Sequence, residues 1–224
     1  MKRWIHDNAL SLFFGTIFLL ALLGQAISGL ALYNNQQLLS GGEPVSFWAY
    51  VSSSSFAVDV AENWQSEYLQ FFLMITITVW LVQRGSTESK EFDEVGLESD
   101  EEQKVGRHAE DDSPRWAKLG GWRTALYSRS LATVMGLFFL GSLLAQSVAG
   151  WAAFNAEQLQ DFADPLSWVG YLTSADFWNR TLQNWQSEFL AVCSAVLFSI
   201  YLRQRGSPES KPVGVSHEAT AQEG

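Results

Sequence analysis

The chain has 224 residues, ten of them Trp, and a formal net charge of −10. That charge argues against a nucleic-acid partner, because nothing here would neutralise phosphates. The lone cysteine, Cys193, rules out an internal disulfide, and His6, His108 and His217 lie too far apart for a metal site, so no metal and no cofactor is expected.

Mean hydropathy is +0.01, an average over four apolar runs and one very acidic stretch. The runs cover residues 9–33, 68–82, 130–154 and 189–202. A helix rising 1.5 Å per residue needs about 20 residues to cross a hydrocarbon core of about 30 Å. The first and third runs meet that length, and the second and fourth are shorter. Lys2 and Arg3 give the first run the basic start of a signal peptide. The run is too long for that, however, and a close copy lies mid-chain.

With four spans, residues 1–8, 83–129 and 203–224 share one side and hold all the Lys and Arg except Arg180. Such a bias places that side, with both termini, in the cytoplasm.

Shifting the sequence by 121 positions (Gln25 onto Gln146) superposes its halves without a gap. Gly29, Asn34, Pro44, Tyr50 and Phe56 fall on Gly150, Asn155, Pro165, Tyr171 and Phe177. Asn63-Trp64-Gln65-Ser66-Glu67 recurs as Asn184 through Glu188, and the block Gln83-Arg84-Gly85-Ser86-x-Glu-Ser-Lys90 recurs as Gln204 through Lys211. Each half carries two spans, so the repeats are parallel, related by an axis along the membrane normal. The expected fold is all-α: an integral membrane four-helix bundle of two tandem helix hairpins. Repeat 1 covers residues 1–90, with spans near 9–33 and 64–83. Repeat 2 covers 122–211, with spans near 130–154 and 185–203.

The outer segments carry aromatics and little charge, so interfacial helices are expected there. Pro44 and Pro165 suit a first helical turn, and Ser55 or Asp176 a cap. Residues 91–121 hold ten of the 24 acidic residues and few large apolar groups, which predicts a disordered linker; residues 212–224 read as a disordered tail. Gly85 and Gly206 are placed to end helices. The Gln-Arg-Gly-Ser blocks read as helix termination and topology control, and their spacing is not that of a phosphate loop. Gly24 and Ser28, matched by Ala145 and Ala149, have the small-residue spacing that permits close helix approach, or are ordinary scatter in an apolar helix.

Any chemistry is expected around Glu67 and Glu188, with Gln25, Gln146, Asn63 and Asn184 completing a polar cluster. By helical rise Gln25 and Glu67 stand at one level, about 22–24 Å from the inner edge, and the same holds for Gln146 and Glu188. Three readings stay open: a Gln–Glu clasp between helices, a headgroup-facing anchor, or an ion or proton site. A non-enzymatic structural or partner-binding membrane protein is the leading expectation. A small channel or transporter using the glutamate pair is the second; four helices enclose little volume, so it would require a homo-oligomer. An enzyme has least support, because no nucleophile–base set lies on one side.

The duplicated Asn-Trp-Gln-Ser-Glu-(Phe/Tyr)-Leu and Gln-Arg-Gly-Ser-x-Glu-Ser-Lys blocks resemble an uncharacterised bacterial four-span membrane-protein family, a domain of unknown function. Tyr68 stands where the second copy has Phe189. The resemblance implies a bacterial inner-membrane protein and supplies no reaction, ligand or catalytic residue.

Overall fold

A computed structural model describes residues 2–221, Lys2 by its backbone alone, and the described residues contain helices and no strand. The helices are α1 (Lys2–Asp7), α2 (Ala9–Leu39), α3 (Phe47–Val51), α4 (Ser54–Ile77), α5 (Arg115–Leu119), α6 (Gly121–Tyr127), α7 (Ser130–Gln160), α8 (Trp168–Leu172) and α9 (Ala175–Tyr201). Two of them, α2 and α7, are long and apolar enough to cross a membrane. In α2 the only buried residue is Ala26, while Leu10, Phe13, Phe14 and Ile17 are exposed. A helix apolar all round and unburied suits a lipid environment.

α4 and α9 start within two residues of the expected caps and run on through their Asn-Trp-Gln-Ser-Glu blocks; Ser53 and Ser174, not Ser55 or Asp176, cap them by accepting from the amides of Phe56 and Phe177. Ahead of their apolar runs they carry Asp59, Glu62 and Glu67, and Asp176, Arg180 and Glu188, which lowers their mean hydropathy. α4 stops at Ile77, inside its apolar run. The β-branched stretch Ile75–Val79 is a poor helix former, and the hydroxyls of Thr76 and Thr78 bond back to the carbonyls of Phe72 and Met74.

The chain forms two compact units: Met1–Ala61 with Ala145–Phe177, and Glu62–Leu144 with Trp178–Gly224. In the first unit the same clasp is built twice. α2 ends in a Schellman turn, Gly42 donating to Gln37 O at 2.7 Å and Gly41 to Leu38 O at 3.2 Å. α7 ends in the same bonds, from Ala163 to Gln158 O at 2.8 Å and from Phe162 to Leu159 O at 3.3 Å. The Asn34 amide then grips the backbone of Val45, accepting its N–H at 2.8 Å and donating to its carbonyl at 3.0 Å. Asn155 grips Leu166 identically, at 2.8 and 2.9 Å. Ser46 and Ser167 cap α3 and α8, so these short helices begin three residues after the expected Pro44 and Pro165.

Each short helix delivers one buried tyrosine. The Tyr50 ring sits between Tyr33 and Phe56, with centroids 5.4 Å from both. Tyr171 sits between Phe154 at 5.6 Å and Phe177 at 5.7 Å. The hydroxyls press on the bare backbones of Gly29 and Gly150, where any Cβ would collide with them. Glycine is required there by close approach. Burial, then Asp59 and Tyr33, raises the Tyr50 hydroxyl above its ordinary value, so it stays protonated.

In the second unit, α4 and α7 pack through aromatic contacts. Tyr68 stacks on Phe138 at 4.8 Å, and the Phe72 ring lies 3.2 Å from where a Gly136 Cβ would stand. After α4 and α9 the Gln-Arg-Gly-Ser blocks fold alike. Gln83 donates to Ser89 Oγ at 2.8 Å and Gln204 to Ser210 Oγ at 2.9 Å. Gly85 and Gly206 turn at φ of 82° and 81°.

Short-range hydrogen bonds run through the linker and the tail as far as residue 221; residues 222–224 lie outside the described residues. Short-range bonds shape the linker: Lys90 with Glu98, Ser99 with Glu102, and Lys104 with Glu110 at 2.8 Å. The tail wraps Lys211, whose buried ammonium donates to the carbonyls of Gly85, Ser216, His217 and Ala219 at 2.6–3.3 Å. Thr220 adds a bond to Gly85 N at 3.0 Å. A backbone that satisfies four donor contacts around one charge gains order without an apolar core.

Candidate functional site

The expected polar cluster divides between the units: Gln25 and Gln146 lie in the first, and Asn63, Glu67, Asn184 and Glu188 in the second. Gln25 is half-buried and Gln146 fully buried. Glu67 and Asn63 are exposed, and Glu188 and Asn184 half-buried. The Asn184 side chain bonds back to Arg180 O at 2.9 Å.

The bonds that join the helices of the second unit come from neighbouring residues. Arg180 on α9 donates to Glu62 on α4 at 3.2 Å, a partly shielded ion pair. One and a half turns further, Trp185 Nε1 donates to Gln65 Oε1 at 2.9 Å, and Gln65 is fully buried. Two polar ties at successive levels fix the register of α4 against α9. Sequence reasoning passed over these partners, although Arg180 was conspicuous as the single Lys or Arg in its half of the topology. A cation placed there needs a carboxylate, and Glu62 is one of few nearby.

Below this band an open groove of about 340 Å³ runs along the end of α4. Leu73, Met74, Ile77, Phe189, Val192 and Val196 make its walls, with Gln83, Glu88 and Ser89 at one end. Gln70 also lines it and has a buried side-chain oxygen that takes no hydrogen bond among the described residues. Neither Glu67 nor Glu188 lines the groove. Its chemistry is that of an apolar channel for hydrocarbon with one amide to accept a hydrogen bond. Among the described residues no group of three or more His, Cys, Asp or Glu side chains stands ready to hold a metal ion.

Residues 1–222 match a family described as a domain of unknown function, DUF6766. No curated protein and no solved structure matches the chain.

Proposed function

The chain belongs to the DUF6766 family, and from that premise we propose a four-pass bacterial inner-membrane protein with a structural or partner-binding role and no catalytic one. In this reading α2, α4, α7 and α9 all cross the bilayer, with both termini and the acidic linker in the cytoplasm and the two clasps outside. The distribution of Lys and Arg supports the orientation. At about 1.5 Å per residue, the 24 residues of α4 and 27 of α9 reach the thickness of a hydrocarbon core.

The observation that carries the role is how the polar side chains of α4 and α9 are spent. Arg180–Glu62 and Trp185–Gln65 tie helix to helix, and the groove beside them excludes both candidate glutamates. Polar groups used as ties make a rigid scaffold; a permeation path would turn them toward water. The alternative is a small oligomeric channel or transporter. The recurrence of one carboxylate at the same position of each repeat, Glu67 and Glu188, favours it, since carboxylates within membrane segments are a familiar proton or cation relay.

Reporter fusions after Asp100 and after Thr173 test the topology; the first should report cytoplasm and the second the outside. Purified protein in liposomes then separates the roles. Scaffolding predicts no proton or monovalent-cation flux above that of empty vesicles. Flux that disappears in Glu67→Gln/Glu188→Gln establishes the alternative.

A further inference from the structure

The two Schellman turns differ at one position. The residue that must adopt a left-handed conformation is Gly41 in the first copy, with φ of 78°, and Phe162 in the second, with φ of 57°. Glycine takes that conformation freely, whereas a β-carbon is pushed against the backbone there, and a bulky residue in it is a genuine outlier. The bonds around Phe162 match those around Gly41, so the fold requires the turn and not the phenyl ring. Nothing among the described residues compensates for the strain, for Phe162 is 99% exposed. Strain held at a bare aromatic tip points to a function.

Its surroundings say what kind. Leu159, Leu166 and Val169 in the same segment are exposed. Asp161 and Asp164 flank the ring, Glu157 lies one turn back, and no Lys or Arg occurs between Arg129 and Arg180. We infer that the Phe162 tip is a docking point for a separate protein outside the membrane, one that offers an apolar pocket rimmed by Lys or Arg.

This rests on the membrane reading above. With α7 crossing from Ser130, its 31 residues measure about 46 Å, against about 40–45 Å for a bilayer with its headgroups. Phe162 therefore stands at or beyond the outer edge, above the level at which aromatic belts settle in lipid. A second copy of this chain does not suit either. Its outer surface has a single basic group, Arg180, already held by Glu62, and it would bring carboxylates to carboxylates. A buried aromatic anchor inside a ring of opposite charge is the usual build of an affinity centre.

The test uses the full chain in its native membrane, with photoreactive p-benzoylphenylalanine at Leu159. The expected result is one protein adduct, of a mass other than that of a dimer, that falls at least tenfold in Phe162→Gly and in Asp161→Lys/Asp164→Lys and is kept in Phe162→Trp. Purified Phe162→Gly should meanwhile melt no lower than the parent, since glycine relieves the turn. An adduct indifferent to Phe162→Gly, an adduct with lipid or with the chain itself, or no adduct overturns the docking point, as does a Tm that falls in Phe162→Gly. A Phe162→Cys/Cys193→Ala variant separates this from the topology. Labelling by an impermeant maleimide on intact cells is expected; labelling only after permeabilisation overturns the membrane orientation and the docking point with it.

Discussion

The two clasps of the first unit share their turn and asparagine bonds, whereas the two Gln-Arg-Gly-Ser-x-Glu-Ser-Lys blocks of the second unit begin alike and end apart. Asn34 and Asn155 hold Val45 and Leu166 with the same pair of bonds, and Tyr50 and Tyr171 press on equivalent glycines. The blocks share their Ser–Gln turn, but Lys90 reaches Gly96 O and the Glu98 carboxylate, while Lys211 is enclosed by four carbonyls. The difference lies in where the partners sit. A clasp finds nearly all of its partners inside the duplicated sequence. A lysine finds its partners in the chain that follows, and linker and tail share no sequence. Duplication preserved a structure where the partners were duplicated with it.

The sharpest way to break the likeness of the clasps is to fill their glycines. Gly150→Ala should cost about 1–3 kcal/mol, the range for overpacking a filled site, because its Cβ would meet the Tyr171 hydroxyl and stand 3.1 Å from Val58 Cγ2. Gly29→Ala meets Tyr50 alone and should cost less. Removing the oxygen in Gly29→Ala/Tyr50→Phe should recover most of the lost Tm in detergent. A double variant no more stable than the single would mean that the ring, not the hydroxyl, sets the spacing.

Next in size is the contrast between the lysines. Lys211→Met leaves four carbonyls without their donor and should cost about 1–3 kcal/mol, read as faster hydrogen exchange across residues 212–221. Lys90→Met should loosen residues 91–98 with little change in global stability.

Asn34→Ala removes two backbone bonds and should cost about 1–2 kcal/mol. Asn155→Ala should cost less, because Trp151 Nε1 also donates to Leu166 O at 2.7 Å. Equal losses in thermal melts would show that the tryptophan bond adds nothing.

The smallest effect is pH-dependent. Its hydrogen bond with Lys90 holds the Glu98 carboxyl below the usual range. A carboxylate lowered on folding stabilises above its unfolded pKa, about 4.3 for Glu, and that contribution disappears as pH falls through the lowered value. Hydrogen exchange of residues 91–98 should therefore quicken below about pH 4, with no such step in Lys90→Met.

Much of the clasp was legible in the sequence. Gly29 with Gly150, Asn34 with Asn155 and Tyr50 with Tyr171 stand out as matched pairs, since their partners recur with them. The Arg180–Glu62 tie of the second unit was not legible, because it joins positions the duplication does not match: Arg180 corresponds to Asp59, and Glu62 to Gln183. Helix bounds went astray where a serine cap or a β-branched stretch overruled hydropathy, as at Ser53 and Ile77. The Lys211 enclosure was hidden for a different reason. Its partners are main-chain carbonyls, which every residue carries, and no side-chain pattern announces how a backbone will curl.

One consequence follows from the span of chain that each clasp uses. Gly29 meets Tyr50, and Asn34 meets Val45, across only a short stretch of sequence. Pairings this local close quickly and cost little loop entropy. Synthesised from its N-terminus, the chain can lock Tyr50 against Gly29 before the second copy has been made. Each copy thus carries its own fastening, and a gene doubling needs no new contact to hold each long helix to the short one that follows it.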